Sequence, residues 1–563
     1  MSENGPREGP GPVTERSRSW RGSGPLGRTA MVLAAGLLVA TAVAGLTSFT
    51  RETGRHRRDA AVRPRVGGVL RVGVTPLSTL DPAQARTVDQ QLVADQLFDG
   101  LTRPDPTTSE PVPALAERWQ ASPDERQWDF FLRPDARFSN GRTVTSADVK
   151  FTLERIAKPG SGSPGSDLLS PVTGYQAFSL QGSAPELSGI TAPSPQVVHI
   201  GLDQPLSSLP SVLGSAVFGV VARESVEAQP AVTPFAEVPA TSGPFEVRSR
   251  SATVIRLVPA HGVHAYLAGI ELVQLPDIAA TYRAFRAGDL DVAQVPPEDV
   301  DTAARRYGRT GFRPYVAELF FGFNLKSQKF ADPRFREAIL HAVDRQAIVR
   351  AVYGSTVQPT DGVVVDGATG HQPDACGDRC RYDPARAKAL VAQVFGSSPP
   401  PQVSLGFDDD AAQEAVARAI QSGLQGVGVP VALVAKPLKE YKDYAVSGQQ
   451  ELFRLGWIAR YPSADDFLPP LFATGSPNNL TGFSLPAVDN DLRAARAEPD
   501  PAKRADLYRQ AERAIMDVVP IVPIAQFQLH DVLSPRVRGF VLTSTGSFDA
   551  SVVWLTDARR ASG

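Results

Sequence analysis

Phe320-Phe321-Gly322-Phe323-Asn324-Leu325, followed shortly by Phe330-Ala331-Asp332-Pro333-Arg334-Phe335-Arg336-Glu337-Ala338-Ile339-Leu340-His341-Ala342-Val343-Asp344-Arg345, reads as strand, turn and capped helix. The first run is apolar and short, as a buried strand is. Asp332 stands where an N-cap is wanted, and Pro333 falls in the first turn, where a missing amide costs nothing. Phe335, Ala338, Ile339, Ala342 and Val343 recur at helical spacing and form one apolar stripe. That stripe is scaffold: it predicts a helix packed on a sheet.

The same alternation extends in both directions. Upstream, Gly67–Val74 is a short strand and Leu80-Asp81-Pro82 a turn. Gln90–Leu101 reads as a helix, and Trp128–Arg133 as a strand rich in aromatics. Asn140-Gly141 is a turn. Thr145-Ser146-Ala147-Asp148 is a capping box whose helix buries Val149, Leu153 and Ile156. Thr241–Val247 is a turn entering a strand and a hinge candidate, and Gly288 ends a helix that feeds a strand through Val292. Downstream, Asp383-Pro384 opens a helix, 411–426 is another, and Val429–Val434 and Glu451–Trp457 are strands. Asp500-Pro501 opens a helix through Met516, and Pro520–Phe527 is a last buried strand. Helices alternating with strands predict α/β layers.

The chain has 563 residues, too many for one core. Hydrophobic residues make up 42% and charged residues 21%, ordinary for a globular protein. Lys+Arg number 58 against 60 Asp+Glu, so the chain lacks the basic excess of a nucleic-acid binder. Catalytic and cofactor motifs are missing: there is no HExxH, no GxSxG and no GxxxxGK[ST]. Gly160-Ser161-Gly162-Ser163-Pro164-Gly165 matches GxGxxG in letters only. It follows a helix rather than a strand, and Pro164 removes an amide donor. His261 and His264 are two ligands alone, too few for a metal site. No motif in the sequence points to a catalytic centre, a cofactor or a metal.

The N-terminus carries a membrane signal. Residues 1–28 are rich in Gly, Pro, Ser and Arg and are expected to be disordered. Thr29–Phe49 has no charge and nearly the length needed to span a bilayer, with Arg18, Arg21 and Arg28 before it. Ala42-Val43-Ala44 offers a cleavage site. Two readings stand: a cleaved signal peptide or an uncleaved anchor. A hairpin buried in a soluble body is a third, disfavoured by the basic flanks. Arg51, Arg55, Arg57, Arg58, Arg63 and Arg65 make 50–66 a basic linker and oppose the positive-inside rule if the body lies outside.

Taken together, Gly67–Val72 with Leu80-Asp81-Pro82, Gln96–Leu101, Pro113–Trp119, Phe138–Gly141 with Thr145–Val149, Ser242–Phe245, Phe285–Val295, Phe323–Leu325 with Asp332–Arg345, Gly456-Trp457 and Ala511–Pro523 resemble the extracytoplasmic solute-binding proteins of peptide- and nickel-type ABC importers (family 5), over about 67–555. The resemblance implies an α/β, two-lobed periplasmic-binding-protein-like fold of the large three-region type, with a ligand cleft between lobes. It places lobe I at 67–98, 237–312 and 521–555, region II at 99–236 and lobe III at 313–520. It implies a monomeric, extracytoplasmic protein, membrane-anchored through 29–49 or secreted. That protein captures a peptide or other small solute and delivers it to permease subunits with a cytoplasmic ATPase. A membrane-anchored sensor or chaperone on the same fold is the alternative.

In peptide-binding relatives an Asp after the Gly-Trp pairs with the ligand's α-amine; here the matching position is Arg460, which would repel an ammonium and attract a carboxylate or phosphate. Asp465 or Asp466 are the possible substitutes, a few residues on. Trp457 offers a flat wall, Tyr461 a hydroxyl, and Phe320 and Asn324 belong to a strand expected to border the cleft. No lipid-anchor cysteine occurs between 40 and 66. Cys376 and Cys380, the only two cysteines, lie in a polar loop. They are either free thiols or a disulfide, and an extracytoplasmic setting favours the disulfide.

Overall fold

The strand that opens the signature is half of a longer one. The computed structural model describes residues 63–227, 235 and 237–556. Eleven strands form one mixed sheet. In chain order these are β1 (Val69–Val74), β2 (Phe245–Arg250), β3 (Val254–Pro259), β4 (Gly269–Gln274), β5 (Val292–Gln294), β6 (Gly311–Phe323), β7 (Val357–Pro359), β8 (Val403–Asp408), β9 (Val431–Lys436), β10 (Leu452–Ile458) and β11 (Ile521–Leu533). Across the sheet they run β9-β8-β10-β6-β11-β5-β1-β4-β3-β2, with β7 paired to β11. The expectations for 1–28, for 29–49 with its Ala44 cleavage site, and for most of the 50–66 linker lie outside the described residues. Among the described residues no helix is long and apolar enough to cross a membrane.

Strands β6 and β11 have 13 residues each and run antiparallel. Phe320–Gly322 pair with Ile521–Pro523, and Gly311–Pro314 pair with Gln528–Asp531. The first ladder carries β10, β8 and β9 of one lobe. The second carries β5, β1, β4, β3 and β2 of the other. Between the ladders the register shifts: four steps on β6, Pro314 to Glu318, face two on β11, Gln528 to Gln526. This is a bulge, the device that bends a strand. Sequence alone starts β6 at Phe320 and ends β11 at Phe527, because Arg313, Pro314, Glu318, Gln528, His530 and Asp531 interrupt the apolar pattern.

Three large apolar cores and two small ones are found among the described residues. Phe320, Phe323, Phe330, Phe335 and Ile339 pack in the second lobe with Leu405, Phe407 and Ile420. The helix Pro333–Ala342 is capped by Asp332, which accepts from the Arg334 amide. Leu70, Val72, Leu97, Phe245, Ile255 and Leu272 fill the first lobe. Its helix Val88–Leu97 ends before the sequence pattern suggested, because Phe98 turns extended after a capping box at Thr87 and Gln90. The third core lies in a separate region with a four-stranded antiparallel sheet, strands Ala116–Ala121, Gln127–Leu132, Val197–Gly201 and Ile190–Ser194. The helix Ser146–Ala157 packs there through Val149, Leu153 and Ile156, beside Phe130 and Phe138. Its capping box joins Thr145 and Asp148. The loop after that helix presents the carbonyls of Ser161 and Gly162 to Gln84 and Arg86, the reverse of a phosphate cradle.

Just past the bulge, Glu318 is 2% exposed, and neither carboxylate oxygen meets a hydrogen-bond partner among the described residues. Burial first, then the nearby Glu512, push its pKa well above the usual carboxylate range. Above pH ~4.5 the unfolded chain ionises while the folded one does not. The folded state then loses about 1.4 kcal/mol per pH unit until Glu318 itself ionises. Glu318→Gln is expected to be more stable than the parent at pH 8, with the gap closing towards pH 4.5. Urea melts at both pH values check this, and a gap independent of pH would refute it.

Candidate functional site

Strand β10 runs antiparallel to β6 along its whole length, Leu452 to Ile458 against Phe323 to Ala317. On its other side β8 pairs only at Leu452 and Phe453. The edge from Leu455 to Ile458 therefore has no strand partner among the described residues. Gly456 is exposed there, and Ile458 is 61% exposed, unusual for a large apolar side chain. An open strand edge is a template for another extended backbone.

The chain leaves this edge into a dense polar cluster. The Asp465 carboxylate is fully buried and has four partners. One oxygen accepts from Ser208 Oγ at 2.7 Å and Tyr461 Oη at 2.8 Å. The other accepts from Arg496 Nε at 2.7 Å and Tyr508 Oη at 2.5 Å. Burial alone would raise the Asp465 pKa; the Arg496 charge and these hydrogen bonds outweigh it and hold it below the usual range. Next to it, Arg460 pairs with buried Asp466 at 2.8 Å through Nη2 and with Asp167 at 2.5 Å through Nη1. Asp466 has fewer compensating partners, and burial pushes it up to about 6.

This cluster joins the small-sheet region to the second lobe. Ser208, Asp167 and Ser215 come from the former; Ser215 Oγ donates to the Arg460 carbonyl at 2.9 Å. Tyr461 packs into the apolar core of the small-sheet region. Arg460, Tyr461 and Asp465 are thus brought together. Trp457 lies beside them, partly exposed, with its ring 5.8 Å from the Arg460 guanidinium carbon. Phe320 is 1% exposed, inside the second-lobe core. Asn324 sits beyond the far end of β6, where its Nδ2 donates to the carbonyls of Gln450 at 2.8 Å and Gly448 at 3.2 Å. Cys376 and Cys380 are disulfide-bonded. Ser208, Arg496, Tyr508 and Asp167 did not emerge from the sequence. They lie 257, 31, 43 and 293 residues from the groups they hold, and no local pattern marks them.

Two spaces adjoin the cluster. A chamber of about 50 Å³ is lined by Arg460, Tyr461 and Pro462 of the second lobe, Gln91, Asp95 and Thr545 of the first, and Ser211 with Gly214–Val217 of the small-sheet region. A groove of about 520 Å³ lies on the other side of Arg460, against Asp167, Leu206 and Arg496. A wider groove of about 1380 Å³ opens at the carboxyl ends of β1 and β4, past Leu77, Ser78 and Gln274. Open α/β sheets bind ligands at that end.

A free strand edge, a chamber walled by three parts of the fold and a long bent ladder between two lobes fit a protein that closes on a ligand. The family model of bacterial extracellular solute-binding proteins, family 5, matches residues 110–479. The chain belongs to this family. Its members bind solutes and do not catalyse, and they work outside the cytoplasm. This solute-binding protein is 25% identical over 482 residues to the periplasmic murein peptide-binding protein MppA of Escherichia coli K12, covering 83% of the chain and 89% of the relative. It is 24% identical over 470 residues to the dipeptide-binding protein DppE of Bacillus subtilis 168, covering 81% and 86%. The unliganded open form of MppA superposes with a TM-score of 0.78 at 24% identity, covering 88% of this chain and 98% of that one. The likeness establishes the two-lobed fold.

Removing Asp465 would leave the mostly buried Arg496 charge and the Ser208, Tyr461 and Tyr508 hydroxyls without their common acceptor. Breaking a buried ion pair in this way costs about 3–5 kcal/mol. Asp465→Ala is expected to lower stability by that order, and Asp167→Ala, at a side chain 62% exposed, by far less. Differential scanning calorimetry of the two variants checks the contrast.

Proposed function

We propose that this protein captures an extended peptide or peptide-like solute between its two lobes and delivers it to a membrane permease driven by a cytoplasmic ATPase. The observation that carries this reading is the free Leu455–Ile458 edge beside a chamber shared by both lobes. Backbone groups on that edge can pair with any extended main chain, whatever its side chains. MppA and DppE, both named for peptides, support the same ligand class.

In this reading Trp457 forms a wall of the site and Tyr461 its floor. Arg460 holds Asp466 permanently, because that carboxylate is buried, but can exchange the exposed Asp167 for a carboxylate or phosphate of the ligand. Asp465 sets the shape of the segment. Phe320 and Asn324 contribute by fixing β6 and β10 rather than by contact. The lobes follow the boundaries expected from sequence, lobe I at 67–98, 237–312 and 521–555, lobe III at 313–520 and region II at 99–236, except that β6 and β11 each run through both lobes. The protein acts as a monomer, and residues 29–49 hold it at the membrane unless they are cleaved.

The test is native mass spectrometry of the full chain, in mild detergent and never refolded. A co-purifying mass that leaves on mild denaturation is expected, and its fragmentation names the ligand. That ligand should raise the melting temperature by mass action, with about 2.7 kcal/mol of stabilisation at a hundred times Kd. Arg460→Ala is expected to weaken a carboxylated ligand roughly tenfold or more, the worth of a charge-assisted hydrogen bond. Unchanged affinity in calorimetry would remove Arg460 from the site. A clean spectrum, with no stabilisation by peptide mixtures, would favour the sensor or chaperone role.

A further inference from the structure

The arrangement around Arg460 leaves the positive end of a peptide without an anchor. Arg460 is a cation, Asp466 is committed to it, and Asp465 is closed off by four partners. The chamber has one other carboxylate, Asp95, contributed by the first-lobe helix Val88–Leu97. Asp95 also lines a side cavity of about 240 Å³, roughly eight water volumes, whose apolar walls include Phe98, Phe548 and Val112. It therefore stands where the chamber at the end of β10 meets a space able to take a side chain.

Asp95 is half-buried and forms no ion pair among the described residues, although such groups normally find a counter-charge. The cations nearby are taken: Arg103 pairs with Asp549 at 2.9 Å, and Arg133 lies 3.8 Å from Asp99. Asp95 also occupies the last turn of its helix, where the unsatisfied carbonyls disfavour a carboxylate and favour a cation. The nearby Ser547 hydroxyl eases its burial only in part. A carboxylate kept in this position without a charged protein partner is suited to a cation supplied by the ligand.

We propose that Asp95 is the anchor for the cationic group of the ligand, the α-ammonium of a peptide, and so determines specificity in this cleft. The assignment rests on the peptide reading above. Anchors for the two ends of a zwitterion then lie on different lobes, Asp95 on the first and Arg460 on the second. Without ligand, burial first, relieved by Ser547 and aggravated by Asp99, pushes Asp95 up to about 7. Asp99, Arg103, Asp105 and Asp549 face the same cavity, and Arg133 stands behind Asp99. Asp99 is itself raised to about 6, by burial first. A cation is held by the ionised form, so affinity rises with pH through about 7.

The experiment presents the full chain with a random tripeptide pool and, separately, the same pool N-acetylated, and reads retained mass by native mass spectrometry. The parent is expected to retain the free-amine pool and not the acetylated one, more at pH 8 than at pH 5.5. Asp95→Asn is expected to lose at least tenfold in retention and to lose the pH dependence, while Asp95→Glu restores part of both. Asp95→Asn should also melt higher than the ligand-free parent at pH 8, since it removes an uncompensated charge; a merely structural carboxylate would melt lower. Equal retention of both pools by the parent, or undiminished retention by a folded Asp95→Asn, overturns the assignment and leaves the peptide reading intact. Retention of neither pool by the parent overturns both.

Discussion

The antiparallel ladder of β6 and β11 is the constraint on which the other elements depend. Each lobe takes one end of the same two strands, so neither lobe can turn without bending that pair. Within each half the strands are hydrogen-bonded to neighbours, and bending there would break bonds that water does not replace. At the bulge the pairing between β6 and β11 is already interrupted, from Pro314 to Glu318. Val316, in the gap, donates to the Ser544 carbonyl at 3.0 Å and accepts from the Ala459 amide at 2.8 Å. Ala459 immediately precedes Arg460. Val316, in the interrupted stretch, is thus bonded directly to the segment that forms the site.

Asp465 and Asp466 show how partners, rather than depth, decide the state of a buried charge. Both are almost wholly inaccessible, at 0% and 1% exposure. Desolvation is the largest influence on each. Asp465 ends below its ordinary pKa because an arginine and three hydroxyls surround it. Asp466 ends near 6 because Arg460 alone must compensate for it, through the side chain and the backbone amide. Asp465 therefore behaves as a fixed joint between the small-sheet region and the second lobe. Arg460 is more loosely committed, since one of its two carboxylates is at the surface.

Much of the fold was legible in the sequence wherever local pattern and tertiary role agree. The helix Pro333–Ala342 has its cap, its proline and its apolar stripe in the twelve residues Asp332–Val343, and each does in the structure what its spacing implies. The strand before it was only half legible. Its second half is apolar because both faces lie in the second-lobe core; its first half carries Arg313, Pro314 and Glu318 because it crosses between lobes, where an apolar pattern is not required. β11 fails in the same way, through Gln526, Gln528, His530 and Asp531. At the site, Arg460, Tyr461 and Asp465 could be found because they share one short stretch with Gly456-Trp457. Asp95, Ser208 and Arg496 could not, since they reach the same place only through the folding of distant segments. The close approach of Gly243 has a similar origin: a Cβ there would lie 2.7 Å from the Leu97 and Phe98 backbone. From sequence, the glycine showed only that a turn was present.

Ligand-driven closure needs a ligand that binds the closed form better than the open one, since equal affinity for both shifts nothing. To carry the population from one part in a hundred to ninety-nine requires a preference of about 10⁴. A strand edge on one lobe cannot supply that by itself, because it offers the same hydrogen bonds whether the lobes are apart or together. Charges on opposite lobes can. A zwitterion held between Arg460 and Asp95, which line the same chamber, bonds to both lobes at once, and the second contact neutralises a carboxylate that forms no ion pair among the described residues. The uncompensated charge also has a cost in the ligand-free protein. That cost is relieved when a ligand bearing the missing cation arrives.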